Sequence, residues 1–160
     1  MKIINVLFFL YITTTACAQD TTLYNDTFKV YCKGEIVDGK KQGKWICSDI
    51  AGNTTEVELY KNGLKDGSCK YFLNKYLTSQ GNYKNGERCG VWREYYVSGH
   101  EIMIGKYKNG VKTGKWYTYE NDDIELYGFS YRKLKKKCHL KKIVEYQNGN
   151  LVSGCVQSVT

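Results

Sequence analysis

The chain has 160 residues, 24 Lys and Arg against 16 Asp and Glu, a formal net charge of +8, 16 glycines, seven cysteines and no proline. Beyond residue 18, only 29 of 142 residues are Ile, Leu, Val or Phe. That excludes a large aliphatic core, and with it an ordinary α/β enzyme on a buried Val/Ile sheet, so order must come from Tyr, Trp, Gly and covalent links.

Residues 1–18 read as an export signal. Lys2 supplies the charged start, Ile3 to Ile12 an apolar run broken by Asn5, and residues 13–18 a small-residue cleavage region. Two cleavages fit. Ala16-Cys17-Ala18 suits a signal peptidase, and Thr14-Thr15-Ala16-Cys17 suits a permissive bacterial lipobox with Cys17 acylated. The expected location is outside the cytoplasm: periplasmic, held at the outer membrane as a lipoprotein, or secreted. The apolar run is shorter than the roughly 20 residues a spanning helix needs, and no later stretch matches it, so no transmembrane segment is predicted. The remaining residues, 19–160, form one repeat domain.

Six cysteines follow: Cys32, Cys47, Cys69, Cys89, Cys138 and Cys155. An even count in an exported chain makes all six disulfide candidates. Cys32 and Cys47 flank the first Asx-Gly turn at nearly matching distances, which favours a cross-strand bridge between them. The other pairings stay open. No C-x-x-C pair occurs and no histidine stands at ligand spacing, so no metal or other cofactor is expected.

A repeat organises the middle of the chain. Its lead position is Ile36, Tyr60, Tyr83 and Tyr107, at spacings of 24, 23 and 24. Asx-Gly follows two residues later, at Asp38-Gly39, Asn62-Gly63, Asn85-Gly86 and Asn109-Gly110. That dipeptide accepts positive φ and marks a tight hairpin. A second glycine opens the return strand at Gly43, Gly67, Gly90 and Gly114, where a bulge is expected. Trp45, Trp92 and Trp116 come two residues after it, and Cys69 holds that slot in the second repeat. Gly34, Gly81 and Gly105, two before the lead residue, leave room for a ring. Tyr60, Tyr83, Tyr107 and the three tryptophans therefore predict a ladder of rings over glycine gaps, which also makes them the candidate aromatic binding face. A looser copy runs from Tyr146 to Cys155, and a degenerate one begins at Tyr131, for about six hairpins in all.

Between Tyr131 and Tyr146 lies a basic segment, 132–142, with Arg132, Lys133, Lys135, Lys136, Lys137, Lys141 and Lys142. It reads as an interruption of the repeat and as a candidate site for an anionic surface: lipid head groups, lipopolysaccharide or an acidic protein. Nucleic acid suits the charge but not the compartment. With Lys2 and these seven set aside, 16 basic residues face 16 acidic ones, so the repeat sheet is expected to be neutral.

Tyr83-Lys-Asn-Gly-Glu-Arg-Cys-Gly-Val-Trp92 and Tyr107-Lys-Asn-Gly-Val-Lys-Thr-Gly-Lys-Trp116 resemble the MORN repeat, and more closely its bacterial MORN-variant form. Ile36 and Cys69 depart from the pattern. The resemblance implies an all-β fold, a single elongated antiparallel sheet of hairpins with about 23–24 residues per repeat. For function it implies binding: scaffolding, partner recognition, and membrane association in some members. An antitoxin label carried by some relatives suggests an alternative, an inhibitor of a co-exported enzyme or toxin.

No nucleophile elbow, phosphate loop or zinc-protease motif occurs, and His100, beside Ser98-Gly99, reads as a loop histidine. The expectation is a non-catalytic binding or scaffold protein of the cell envelope, with a protein partner not identified by the sequence.

Overall fold

The computed structural model describes residues 18–27, 29–120 and 139–156, apart from the side chains of residues 120, 139, 155 and 156. Eleven strands follow one another: β1 (Ala18–Asn25), β2 (Val30–Val37), β3 (Lys40–Asp49), β4 (Thr54–Lys61), β5 (Leu64–Leu73), β6 (Tyr76–Lys84), β7 (Glu87–Tyr95), β8 (Glu101–Lys108), β9 (Val111–Glu120), β10 (His139–Gln147) and β11 (Asn150–Val156). Each pairs antiparallel with the next, so the sheet is a single open meander in chain order. The fold is all-β, the row of hairpins that the repeat predicts.

Five hairpins, β2–β3 through β10–β11, turn on the five Asx-Gly dipeptides. Asp38, Asn62, Asn85, Asn109 and Asn148 have φ near +50°, and the glycine after each is also positive. Two consecutive positive φ values define the turn whose twist matches that of paired strands. Each turn after the first is fastened to the repeat before it. The amides of Gly63, Gly86, Gly110 and Gly149 donate to the carbonyls of Lys41, Lys65, Arg88 and Lys112 at 2.8–3.0 Å. Adjacent hairpins therefore stack through backbone as well as side chains.

The second glycines are bulge residues. Gly43, Gly67, Gly90 and Gly114 all have positive φ, between 64° and 117°, and the register shifts beside each. They lie opposite Tyr60, Tyr83, Tyr107 and Tyr146, respectively, on the next strand.

One face carries the core. Trp45, Trp92 and Trp116 are 1–2 % exposed, and each ring covers the glycine of its own hairpin. A Cβ at Gly34, Gly81 or Gly105 would lie inside that ring. Tyr side chains fill the intervals edge-on. The ring centroids of Tyr83 and Trp92 are 5.3 Å apart, those of Trp92 and Tyr107 5.8 Å, and those of Tyr107 and Trp116 5.1 Å. Edge-to-face pairs of this kind contribute about 0.5–1.5 kcal/mol each beyond their burial. This is how a chain poor in aliphatics closes a core in one layer.

Cys32 and Cys47 face each other across β2 and β3 and are joined by a disulfide. The wider expectation is corrected at two positions: Cys69 and Cys89 are free thiols. Cys69 lies between Glu58 on β4 and Gly81 on β6, and Cys89 opposite Asn82. No neighbouring strand offers either a cysteine. Cys138 and the side chain of Cys155 lie outside the described residues, as do Cys17 and Tyr131.

Candidate functional site

The ring face is also a charged face. Lys41, Lys65, Arg88 and Lys112 each stand three residues after an Asx turn position, on β3, β5, β7 and β9. Each cation lies over two rings. The Lys41 ammonium is 4.3 Å from the Trp45 centroid and 4.9 Å from Tyr60. Lys65 covers Tyr71 and Tyr83 at 5.7 and 5.2 Å. The Arg88 guanidinium is 4.2 Å from Trp92 and 5.4 Å from Tyr107, and Lys112 is 4.3 Å from Trp116 and 5.3 Å from Tyr146. At partly exposed sites each such contact stabilises by about 0.5–1 kcal/mol. The cations thus form a single file along the turn end of the sheet, with stems and heads already positioned by the rings below.

The aromatic residues expected to form a face from sequence divide by exposure. Trp45, Trp92 and Trp116 offer almost no surface to a partner, because Tyr and Lys or Arg side chains close over them. Tyr60, Tyr83 and Tyr107 remain half-buried. What faces solvent is the cation file with tyrosine edges between its members. The sequence signal for the file was present, since a basic residue recurs at one fixed position of the frame.

The second repeat breaks the ladder and replaces it with a polar centre. Glu58 holds the slot of Gly34, Gly81 and Gly105, and Cys69 the slot of the tryptophans, and the two face each other across β4 and β5. Glu58 is 4 % exposed. One of its oxygens accepts from Lys65 Nζ and, at 2.6 Å, from the Tyr71 hydroxyl. The other accepts from the Tyr60 hydroxyl at 2.8 Å. The Tyr71 and Tyr83 hydroxyls lie 3.2 Å apart. Tyr71 also stacks toward Trp92, at 6.5 Å and 23°, so its ring takes up the packing a tryptophan would have supplied.

Electrostatics follow from this placement. Burial opposes the Glu58 charge, but hydrogen bonds from Lys65, Tyr71 and Tyr60 outweigh it and hold the carboxyl below its usual range. Burial and then the Glu58 charge push Glu56 up. Burial, then hydrogen bonding to Glu58, raises the Tyr60 and Tyr71 phenols. Burial raises the Cys69 thiol, leaving it poorly nucleophilic. Burial also lowers Lys41, against the pull of Glu58. Lys65 is therefore committed to a buried carboxylate. Among the described residues, neither Arg88 nor Lys112 has a carboxylate within ion-pair distance.

The opposite face has a different character. Lys33, Lys44, Lys70, Lys106 and Lys115 alternate with the ring-face residues and are exposed. Basic side chains thus stand on both faces of the sheet, a distribution that strand register reveals. Of the basic segment, Lys141 and Lys142 lie on β10 and are exposed. His139–Lys142 is thus part of a sheet strand, while residues 132–138 lie outside the described residues. A shallow cleft of about 250 Å³ at the other end of the strands is lined by Tyr76, Leu77, Tyr95 and the 97–99 turn. Beside it the Ser98 hydroxyl lies 3.1 Å from His100 Nδ1.

Among the described residues there is no cluster of His, Cys, Asp and Glu able to hold a metal ion. No helix there is long and apolar enough to cross a membrane. No protein-family model matches the chain, and no curated protein matches it in sequence.

Proposed function

We propose that this protein is a non-catalytic binding or scaffold module of the cell envelope, built from MORN-like repeats and engaging a protein or an anionic surface. The observation that carries the reading is a single-layer sheet whose rings pack on one another, leaving two long charged faces open. A fold of this kind spends its side chains on making an extended surface instead of enclosing a cleft. The buried thiol of Cys69 and the fully hydrogen-bonded carboxylate of Glu58 are shielded from a substrate, which supports binding over catalysis. The N-terminal signal and the acylation candidate Cys17 support an envelope location. Lys141 and Lys142, with Arg132, Lys133, Lys135, Lys136 and Lys137, are the proposed anionic-surface contacts, acting with the lipid as a second anchoring signal.

Two measurements test this. Photo-crosslinking groups placed singly on each face, in cells exporting the protein, should capture one saturable partner from one face. Equal, unsaturable labelling of both faces would refute a binding module. Palmitate labelling that Cys17→Ser abolishes would support the lipid anchor, and the absence of any labelling would remove it.

A further inference from the structure

Building on the binding-module reading, we propose that the cation file is a docking track for an extended acidic polypeptide segment, which lies across the strands on the ring face. Lys41, Lys65, Arg88 and Lys112 occupy alternate strands. The strand spacing places successive cations at least about 9.5 Å apart and the ends of the file at least about 28 Å apart. An extended chain needs about eight residues to cover that distance. The partner is therefore an acidic stretch of about eight residues or more, not a single carboxylate on a loop.

Three observations favour this occupant. First, the cations are positioned before binding. Each is held over two rings, so little side-chain freedom remains to be lost when a carboxylate arrives. Second, the charge is uncompensated where it matters. Glu58 occupies Lys65, and Glu56 lies near Lys41, but Arg88 and Lys112 have no carboxylate partner among the described residues. The Arg88 Nη1 donates to the Tyr107 hydroxyl at 3.3 Å and the guanidinium also bonds the Tyr83 side chain, which fixes it while leaving some of its five donors over. Third, the tryptophans are closed over, so no broad ring surface is offered to a sugar. A single file also suits a chain better than a planar surface. Acidic glycans and anionic membranes are thus the alternatives that the test must separate.

The structure ranks the four cations. Arg88 and Lys112 contribute most, Lys41 less and Lys65 least, because its charge is already used. It follows that releasing Lys65 strengthens the track: Glu58→Gln removes the buried charge and should tighten binding.

The test uses the full exported chain and synthetic oligoglutamate peptides of four, eight and twelve residues, by fluorescence anisotropy at several salt concentrations. Affinity should rise from four to eight residues and then level off. Arg88→Met with Lys112→Met, which keeps an apolar cover over the rings, should weaken binding about tenfold. Lys33→Gln with Lys106→Gln removes the same charge from the opposite face and should change affinity by less than about threefold. Glu58→Gln should tighten binding. Near-ultraviolet circular dichroism checks that each variant keeps its tryptophan packing. Equal losses from both double variants would overturn the proposal, leaving only diffuse charge. So would weaker binding on Glu58→Gln with packing intact. Preference for oligogalacturonate or for phosphatidylglycerol vesicles over the peptides would also overturn it, while leaving the binding-module reading in place.

Discussion

Glu58 and Cys69 face each other across β4 and β5 in the two slots that glycine and tryptophan hold in the repeats on either side. The exchange is reciprocal. A large side chain stands where the Cβ must elsewhere be absent, and a small one where a ring elsewhere lies. The second repeat therefore keeps the thickness of the sheet while trading an indole for a carboxylate, a lysine and two phenols. It also removes one positive charge from an otherwise regular file.

That reciprocity predicts a rescue. Cys69→Trp alone drives a ring into Glu58 and should destabilise by about 2–3 kcal/mol. Glu58→Gly alone leaves Lys65 and the Tyr60 and Tyr71 hydroxyls without their acceptor, at about 3 kcal/mol. The double variant restores the arrangement of the third and fourth repeats. It should be more stable than either single variant in urea unfolding, giving a large favourable coupling in the double-mutant cycle. Simple additivity would contradict the exchange.

Two glycines in one hairpin separate steric exclusion from backbone strain. At Gly105 a Cβ would lie inside the Trp116 ring, although the φ of Gly105 is ordinary for any residue. Gly105→Ala should cost about 3 kcal/mol and lower the near-ultraviolet tryptophan signal. Gly114 has φ +64° and no atom within 4 Å of a Cβ. Gly114→Ala should cost only about 1–2 kcal/mol and leave that signal unchanged. Equal costs would show that one mechanism governs both.

Stability should respond to acid in two opposite steps. The Glu56 carboxyl is raised in the fold, so its charged form opposes folding at neutral pH, and stability should rise slightly as pH falls through its titration. The Glu58 carboxyl is depressed, so its contribution is complete above the unfolded value and is lost as pH falls through the folded value. Urea midpoints measured from pH 7 downward should show a shallow rise before a steep fall. Glu58→Gln should flatten the fall and reduce but not abolish the rise attributable to Glu56, since burial is the larger cause of the Glu56 shift and the Glu58 charge the second.

The cysteines divide by chemistry. The Cys32–Cys47 bridge closes a loop with a sequence separation of 15 residues. Its loss in the Cys32→Ser, Cys47→Ser pair should cost about 3 kcal/mol by loop entropy. Maleimide labelling of the native protein should modify half-buried Cys89 well before buried Cys69, and Cys69 should react at the rate of unfolding. Rapid native labelling of Cys69 would place its thiol outside the ladder.

Much of this molecule was legible in its residues. Asx-Gly at a fixed interval, a second glycine four residues on and a ring two residues later fix turn, bulge and core in a local pattern. Their geometry depends on positive φ and on strand alternation, so hairpins, ring ladder and the Cys32–Cys47 pairing could all be read from the chain. The repeat also contained the cation file, as a basic residue three after each of the first four Asx positions. What only the tertiary structure decided is which of these groups meet. Strand register places Arg88 over Trp92 and over Tyr107 of the next hairpin, brings Tyr71 to Glu58, and leaves Cys69 and Cys89 without cysteine neighbours. It also buries the tryptophans that the sequence offered as a binding surface, because a single layer with few aliphatics has only its own rings and the cations above them to keep water out.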